Sequence, residues 1–70
     1  MIPLSLADIG KEHLIQKISG NTEIKKHLED LGFTTGTKVV LISTLGENAI
    51  VAVKGARIAL GADMARKIMV

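Results

Sequence analysis

The sequence predicts a mainly β fold: a small, partly open barrel with one main α-helix over about residues 22–31 and a short helix over about 61–67. Three observations predict it. Thr37 to Thr44 and Ala49 to Lys54 are apolar, Val- and Ile-rich runs, and Leu45-Gly46-Glu47-Asn48 between them carries the residues of a hairpin loop. Thr22 to Leu31 has a helical apolar period, with Ile24, Leu28 and Leu31 on one stripe. The 70 residues are 47% hydrophobic with one aromatic, Phe33, so a single aliphatic core has to serve one domain spanning 1–70.

The elements can be justified in order. Pro3 to Gly10 reads as a lead-in with one helical turn: Ser5 and Asp8 stand at the spacing of a loose capping box, and Gly10 suits the left-handed conformation that closes a turn. Leu4, Leu6 and Ile9 are its expected core contacts. Glu12 to Ile18 reads as the first strand. Ile15 and Ile18 are three apart, however, so alternation alone cannot bury both, and a bulge or strong twist is expected. Ser19-Gly20-Asn21-Thr22 ends it. Asn21 or Thr22 then caps the helix, and Glu23 in its first turn suits the dipole. Lys25 with Glu29 and Lys26 with Asp30 run basic to acidic at a spacing of four, the weaker orientation against that dipole. So short a helix is unstable alone, so packing must hold it.

Leu28-Glu29-Asp30-Leu31-Gly32-Phe33-Thr34-Thr35-Gly36-Thr37-Lys38-Val39 ends the helix, turns on two glycines and launches the most apolar strand. Gly32 stands where a helix needs a C-terminal residue of positive φ. In the following strand Val39 and Leu41 share one side and Val40 and Ile42 the other; its partner is also apolar on both sides through Ile50, Val51 and Val53. Gly55 interrupts that partner, and Arg57-Ile58-Ala59-Leu60 resumes an alternating pattern. Within Gly61 to Lys67, Met64 and Ala65 are expected to pack inward. Ile68-Met69-Val70 forms a last short strand. Strands with two apolar faces fit a barrel only where the second face meets the helix or another chain.

Composition argues against several function classes. No cysteine is present, so neither a disulfide nor a thiolate metal site supplements the core. Met1-Ile2-Pro3 is not followed by a basic stretch and an apolar run, and the longest apolar stretch, Val39 to Ile42, is far too short to span a membrane. The expectation is a cytoplasmic protein. The net charge is +2 and the isoelectric point 9.2, yet the basic residues are scattered, with Lys25-Lys26 and Arg66-Lys67 as the adjacent pairs. Nucleic-acid binding needs a basic stripe, and single strands need stacking aromatics; one phenylalanine supplies neither.

Catalysis finds no constellation. Gly32-Phe33-Thr34-Thr35-Gly36 lacks the Lys-Ser/Thr pair and the strand-to-helix order of a phosphate loop, so its glycines read as turns. Ser19 and Ser43 have no nearby His–acid pair to activate them. His13 and His27 are the two histidines. Glu23, His27 and Asp30 lie along one helix edge with ligand types that iron(II) accepts, but an edge of solvated polar residues has the same pattern, and no metal or cofactor is assigned.

The order of motifs resembles the FeoA family, small accessory proteins of bacterial ferrous-iron uptake. Leu28-Glu29-Asp30-Leu31-Gly32-Phe33 followed by Gly36-Thr37-Lys38-Val39 is similar to the family's helix-to-strand signature. Val51-Ala52-Val53-Lys54-Gly55-Ala56-Arg57-Ile58-Ala59-Leu60, then Ala65 and Ile68-Met69-Val70, is similar to its closing segment. The likeness covers nearly the whole chain. There are departures: the family often has proline where Ile9 and Thr35 stand, a Gly-Pro pair in place of Asn48-Ala49, a basic residue at His27 and Arg or Ser at Gly61.

The resemblance implies an SH3-like barrel, no catalytic activity, and a role beside a membrane ferrous-iron transporter whose cytoplasmic GTPase domain it binds. The same barrel also occurs appended to metal-dependent repressors, but no DNA-binding helical domain accompanies it in this sequence. A barrel this small cannot hide all its aliphatic side chains. Val40, Ile42, Leu45 and Ile50 are therefore the candidate apolar contacts for the partner, with Lys54 and Arg57 as a charged rim. The competing reading packs Val40, Ile42 and Ile50 under the helix, since a one-residue slip exchanges the faces. Alternative functions are a small nucleic-acid-binding barrel, a self-associating unit, and a metal-sensing module with weak transition-metal binding.

Overall fold

A computed structural model describes residues 1–70. A 3₁₀ turn at Leu4–Leu6 leads into β1 (Glu12–Leu14) and β2 (Lys17–Ile18). Helix α1 (Thr22–Asp30) is followed by β3 (Lys38–Leu45), β4 (Asn48–Val53) and β5 (Ala56–Leu60), and the chain closes with α2 (Ala62–Ala65) and β6 (Ile68–Met69). Strands β1-β3-β4-β5 form an antiparallel sheet in that order, and β2 pairs with β6 in a second, two-stranded sheet. The fold is the expected mainly β, partly open barrel with a main and a short helix.

Its centre is a cluster of 14 buried residues, all apolar. Leu4, Ile15, Leu28, Phe33, Val39, Leu41, Val51 and Ile68 are its largest fully buried side chains, drawn from the lead-in, the helix, both sheets and the loop after the helix. Each buried Leu, Ile, Val or Phe contributes about 1.5–3 kcal/mol relative to exposure. No charged or polar residue is buried, so the aliphatic core needs no internal polar partners.

Helix α1 is fixed at both ends by hydrogen bonds that its sequence provides. The Asn21 side-chain oxygen accepts from the Ile24 N–H at 2.9 Å. At the other end the Gly32 N–H donates to the Glu29 carbonyl and the Phe33 N–H to the Leu28 carbonyl, each at 2.9 Å, with Gly32 at φ +103°. That pair of bonds is a Schellman closure, and its customary apolar contact is available because Leu28 and Phe33 are both fully buried. None of the three ion pairs in the structure lies on α1, so Lys25–Glu29 and Lys26–Asp30 do not close.

Several expectations are corrected. Residues 12–18 are not one bulged strand. The chain changes sheets at Ile15-Gln16, where the Ile15 N–H bonds the Thr37 carbonyl and the Gln16 N–H bonds the Met69 carbonyl, and this corner buries both Ile15 and Ile18. The Ser5–Asp8 cap does not form: Pro3 precedes the 3₁₀ turn without a side-chain cap bond. Leu4 is buried, but Leu6 and Ile9 are 73% and 56% exposed: Leu6 points out of the 3₁₀ turn that buries Leu4, and Ile9 lies beyond the end of that turn. Lys54-Gly55 is a second two-residue hairpin turn, with φ +49° and +80°, rather than an interruption of one strand. The short helix covers Ala62–Ala65 only, with Ala65 buried and Met64 packed against the core as expected.

At Gly32 an added Cβ would meet Lys54 Cδ at 3.6 Å and Val53 Cγ2 at 3.8 Å, ordinary contacts, so a larger residue there is opposed by the backbone and not by crowding. Gly32→Ala is expected to lower stability by about 1–2 kcal/mol, read as a lower urea midpoint at unchanged slope.

Candidate functional site

The outer face of the four-stranded sheet, which looks away from the core, carries the candidate site. Residues directly opposite in an antiparallel pair share a face. Val39, Val53 and Ala56 thus face inward, as do Leu41, Val51 and Ile58. Outward lie three rows: Glu12–Val40–Ala52–Arg57, then Ser43–Ile50–Ala59, then Leu45–Asn48.

A β-bulge creates the last two rows. Leu41 pairs with Val51 and Ser43 with Ile50, leaving Ile42 unpaired between them. Unbroken alternation would put Leu45 on the inward face with Leu41; the extra residue inverts the parity and turns Leu45 outward, 81% exposed. Ile50 is 41% exposed beside it. With Ser43, Asn48, Ala59 and Gly61 these two side chains line a shallow, mostly apolar depression of about 290 Å³. Ala59 is what opens it: a short side chain stands next to Ile50 on the outermost strand.

One wall of the depression is held by polar contacts across the fold. Gly61 precedes α2 without any side chain to cap it, and the Asn48 side-chain oxygen accepts the Ala62 N–H at 3.0 Å instead. Arg66, just past the end of α2, bonds Glu47 of the β3–β4 turn at 3.1 Å and Asp63 at 2.6 Å. The hairpin and α2 are thereby tied together, although exposed pairs of this kind contribute little individually.

The six sequence-predicted contacts do not form one cluster. Leu45 and Ile50 line the depression. Val40 is half-buried on the same face, one row from Ile50, and Ile42 is the half-buried bulge residue. Arg57 is exposed on that face opposite Ala52, in none of the ion pairs. Lys54 lies elsewhere: it sits in the β4–β5 turn, at the opposite end of β4 from Asn48, beside the exit of α1 at Gly32. The expected charged rim of Lys54 and Arg57 is thus split, with Lys54 in the turn and Arg57 on the outer face. The sequence alone does not mark Ser43, Asn48, Ala59 or Gly61 as partner contacts. The alternation of β5 pointed to Ala59, whereas the bulge that places Ser43 has no sequence signal.

Glu23 and His27 are exposed on α1, and no group of three or more His, Asp or Glu side chains stands close enough to hold a metal ion. The His13 ring Nε2 lies 3.1 Å from the Asp8 carbonyl, a bond that steadies the lead-in turn. No helix is long and apolar enough to cross a membrane.

Known proteins share this architecture over nearly its whole length. A family model for the FeoA domain matches residues 2–70. A Methanocaldococcus jannaschii protein named Fe(2+) transport protein A is 34% identical over 70 residues, which is all of this chain and 85% of that one. The crystal structure of an iron uptake regulatory protein, FeoA, superimposes with a TM-score of 0.85 at 27% identity, covering 96% of this chain and 89% of that one. Stenotrophomonas maltophilia FeoA, crystallised with zinc and described as a procaryotic SH3 domain protein, gives a TM-score of 0.82 at 24% identity over 99% of this chain and 88% of its own, a likeness of fold.

Two measurements check the geometry. Asn48→Ala is expected to cost about 1 kcal/mol in thermal or urea unfolding, and Gly61→Ser in that background to recover part of it by supplying a local cap. Anaerobic titration calorimetry with Fe(II) or Zn(II) is expected to show no saturable heat tighter than millimolar, with Glu23, His27 and Asp30 remaining solvated.

Proposed function

This chain belongs to the FeoA family, and we propose that it acts as a non-catalytic accessory protein of Fe(II) uptake by binding the cytoplasmic, GTPase-bearing part of a membrane ferrous-iron transporter. The SH3-like barrel and the association with ferrous-iron transport are properties of the family it belongs to. The observation that carries the reading is the exposed apolar surface at Leu45 and Ile50 on a barrel whose single core is already closed. An exposed leucine and isoleucine lining a common depression resemble the apolar centre of an interface more than scattered surface aliphatics. Val40 extends that centre, and Arg57 supplies a polar rim. Ile42 acts through the bulge that positions Leu45. Lys54, in the turn, makes a peripheral charged contact.

A domain of this kind works by occupying a surface of its partner. The core has no buried titratable group and the outer face no acid–base or nucleophile pair, so what it offers the transporter is shape and charge.

Co-purification with the ferrous-iron transporter of the same organism, with and without guanine nucleotide, tests the reading. Wild-type protein is expected to be retained, and Leu45→Asp and Ile50→Asp to be lost by about tenfold or more in affinity with unchanged circular dichroism. Normal retention of both variants would remove this surface from the interface.

A further inference from the structure

The sheet has two edges, and they differ. On one side β1 is three residues long and ends where the chain turns into the second sheet. On the other, β5 is five residues long, pairs with β4 without a register shift, and contains no proline, glycine or bulge. Proline and bulges are among the devices that blunt an edge, and β5 has neither; its one charged residue, Arg57, stands on the outer face. The two-residue turn at Lys54-Gly55 makes Val53 and Ala56 a mutually hydrogen-bonded pair, and alternation does the same for Val51 with Ile58 and Ala49 with Leu60. The peptide groups of Arg57 and Ala59 therefore point away from β4. No backbone hydrogen bond outside the regular elements involves residues 56–60, and no side chain bonds them either. Arg57, Ala59 and Ala56 are exposed, and Ile58, although inward-facing, is only half-buried at this open side.

We propose that β5 is a docking edge that takes an extended segment of the partner as a fifth, antiparallel strand. The proposal rests on the transporter-binding reading above and names how that binding is made. The outward peptide groups of Arg57 and Ala59 supply main-chain hydrogen bonds, which give affinity without sequence preference. Side chains supply the preference. A partner residue opposite Ala59 on the outer face sits over the short alanine and enters the depression beside Ile50 and Leu45, which suits an aliphatic group. Two positions further along the partner strand, the residue opposite Arg57 meets a guanidinium that has no acid of its own: Glu12, in the same row, is three strands away, roughly 14 Å at the usual strand spacing. The complementary segment therefore reads aliphatic–x–acidic.

Charge also argues against a second copy of this chain in that place. In an antiparallel β5–β5 pair, the one register that uses both outward residues of both strands sets Arg57 opposite Ala59 of the other copy. The two guanidinia then lie diagonally adjacent on one face with no acid between them.

Hydrogen–deuterium exchange of the full chain, alone and bound to the detergent-solubilised full-length ferrous-iron transporter, tests this. Slower exchange confined to the peptide covering 56–60 is expected on binding. Ala59→Pro removes an outward N–H at a position an edge strand tolerates, and Arg57→Glu inverts the charge while leaving the backbone intact. Each is expected to weaken binding by about tenfold or more with unchanged circular dichroism. Binding of the wild type without protection at 56–60, or with both variants at full affinity, overturns the strand-addition proposal and leaves the transporter reading standing. Protection at 56–60 that rises with protein concentration in the absence of the transporter overturns it in favour of self-pairing. No binding by the wild type overturns the transporter reading and this proposal with it.

Discussion

The structure depends on how the chain leaves α1. A nine-residue helix has too few internal bonds to persist alone, and its ion pairs do not form, so its last turn must be closed and its stripe buried. The Gly32 closure does both. It satisfies the Leu28 and Glu29 carbonyls and brings Phe33 back against the core. The same segment continues into a turn in which the Thr37 N–H bonds the Thr34 carbonyl and the two threonine hydroxyls lie 2.7 Å apart. Gly36 and Thr37 then bond the main chain of Ile15, at the corner where β1 becomes β2. One stretch of about ten residues thus couples the helix, the start of β3 and the junction of the two sheets.

The outer face follows from that economy. The helix is spent on the inner core, so nothing in the chain covers the other side of β3–β4–β5. The bulge at Ile42 then adds Leu45 to a surface already bearing Ile50. Asn48 and the Glu47–Arg66 pair fasten α2 against the same hairpin. Two of the departures named for the sequence fall here too, at Asn48 and Gly61. In this chain the first compensates the second, since the cap that Gly61 cannot provide comes from Asn48.

What could be read beforehand was whatever has a local physical signature. A helix cap at Asn21 or Thr22, Gly32 as the helix terminator, the Leu45–Asn48 hairpin and the inward Ala65 each rest on a preference of one residue for one backbone state or environment. The misreadings concern relations between distant segments. Leu6 and Ile9 are as apolar as Leu4, and without periodicity in the lead-in nothing ranks them. Ile15 and Ile18 needed a change of sheet, which depends on Thr37 and Met69. Lys54 in a left-handed turn position is an unusual choice where Asn, Asp or Gly is customary, so the second hairpin left no signal beyond Gly55. That some apolar surface stays uncovered was legible as excess aliphatic content; which face carries it was not, because a one-residue slip exchanges the faces and the bulge has no glycine to mark it.

The two ends of the chain meet in the second sheet: Ile2 and Val70 exchange both main-chain hydrogen bonds at 2.8 Å, beside the Pro3–Met69 bridge. This has a mechanical consequence. Tension applied through sequence attached at the two ends pulls this pair apart like a zipper, opening its bonds one after another instead of loading several in shear. The four-stranded sheet lies out of the line of force until that seam has parted. The domain is therefore a weak spring at its ends and a stiff one across the face formed by β3, β4 and β5.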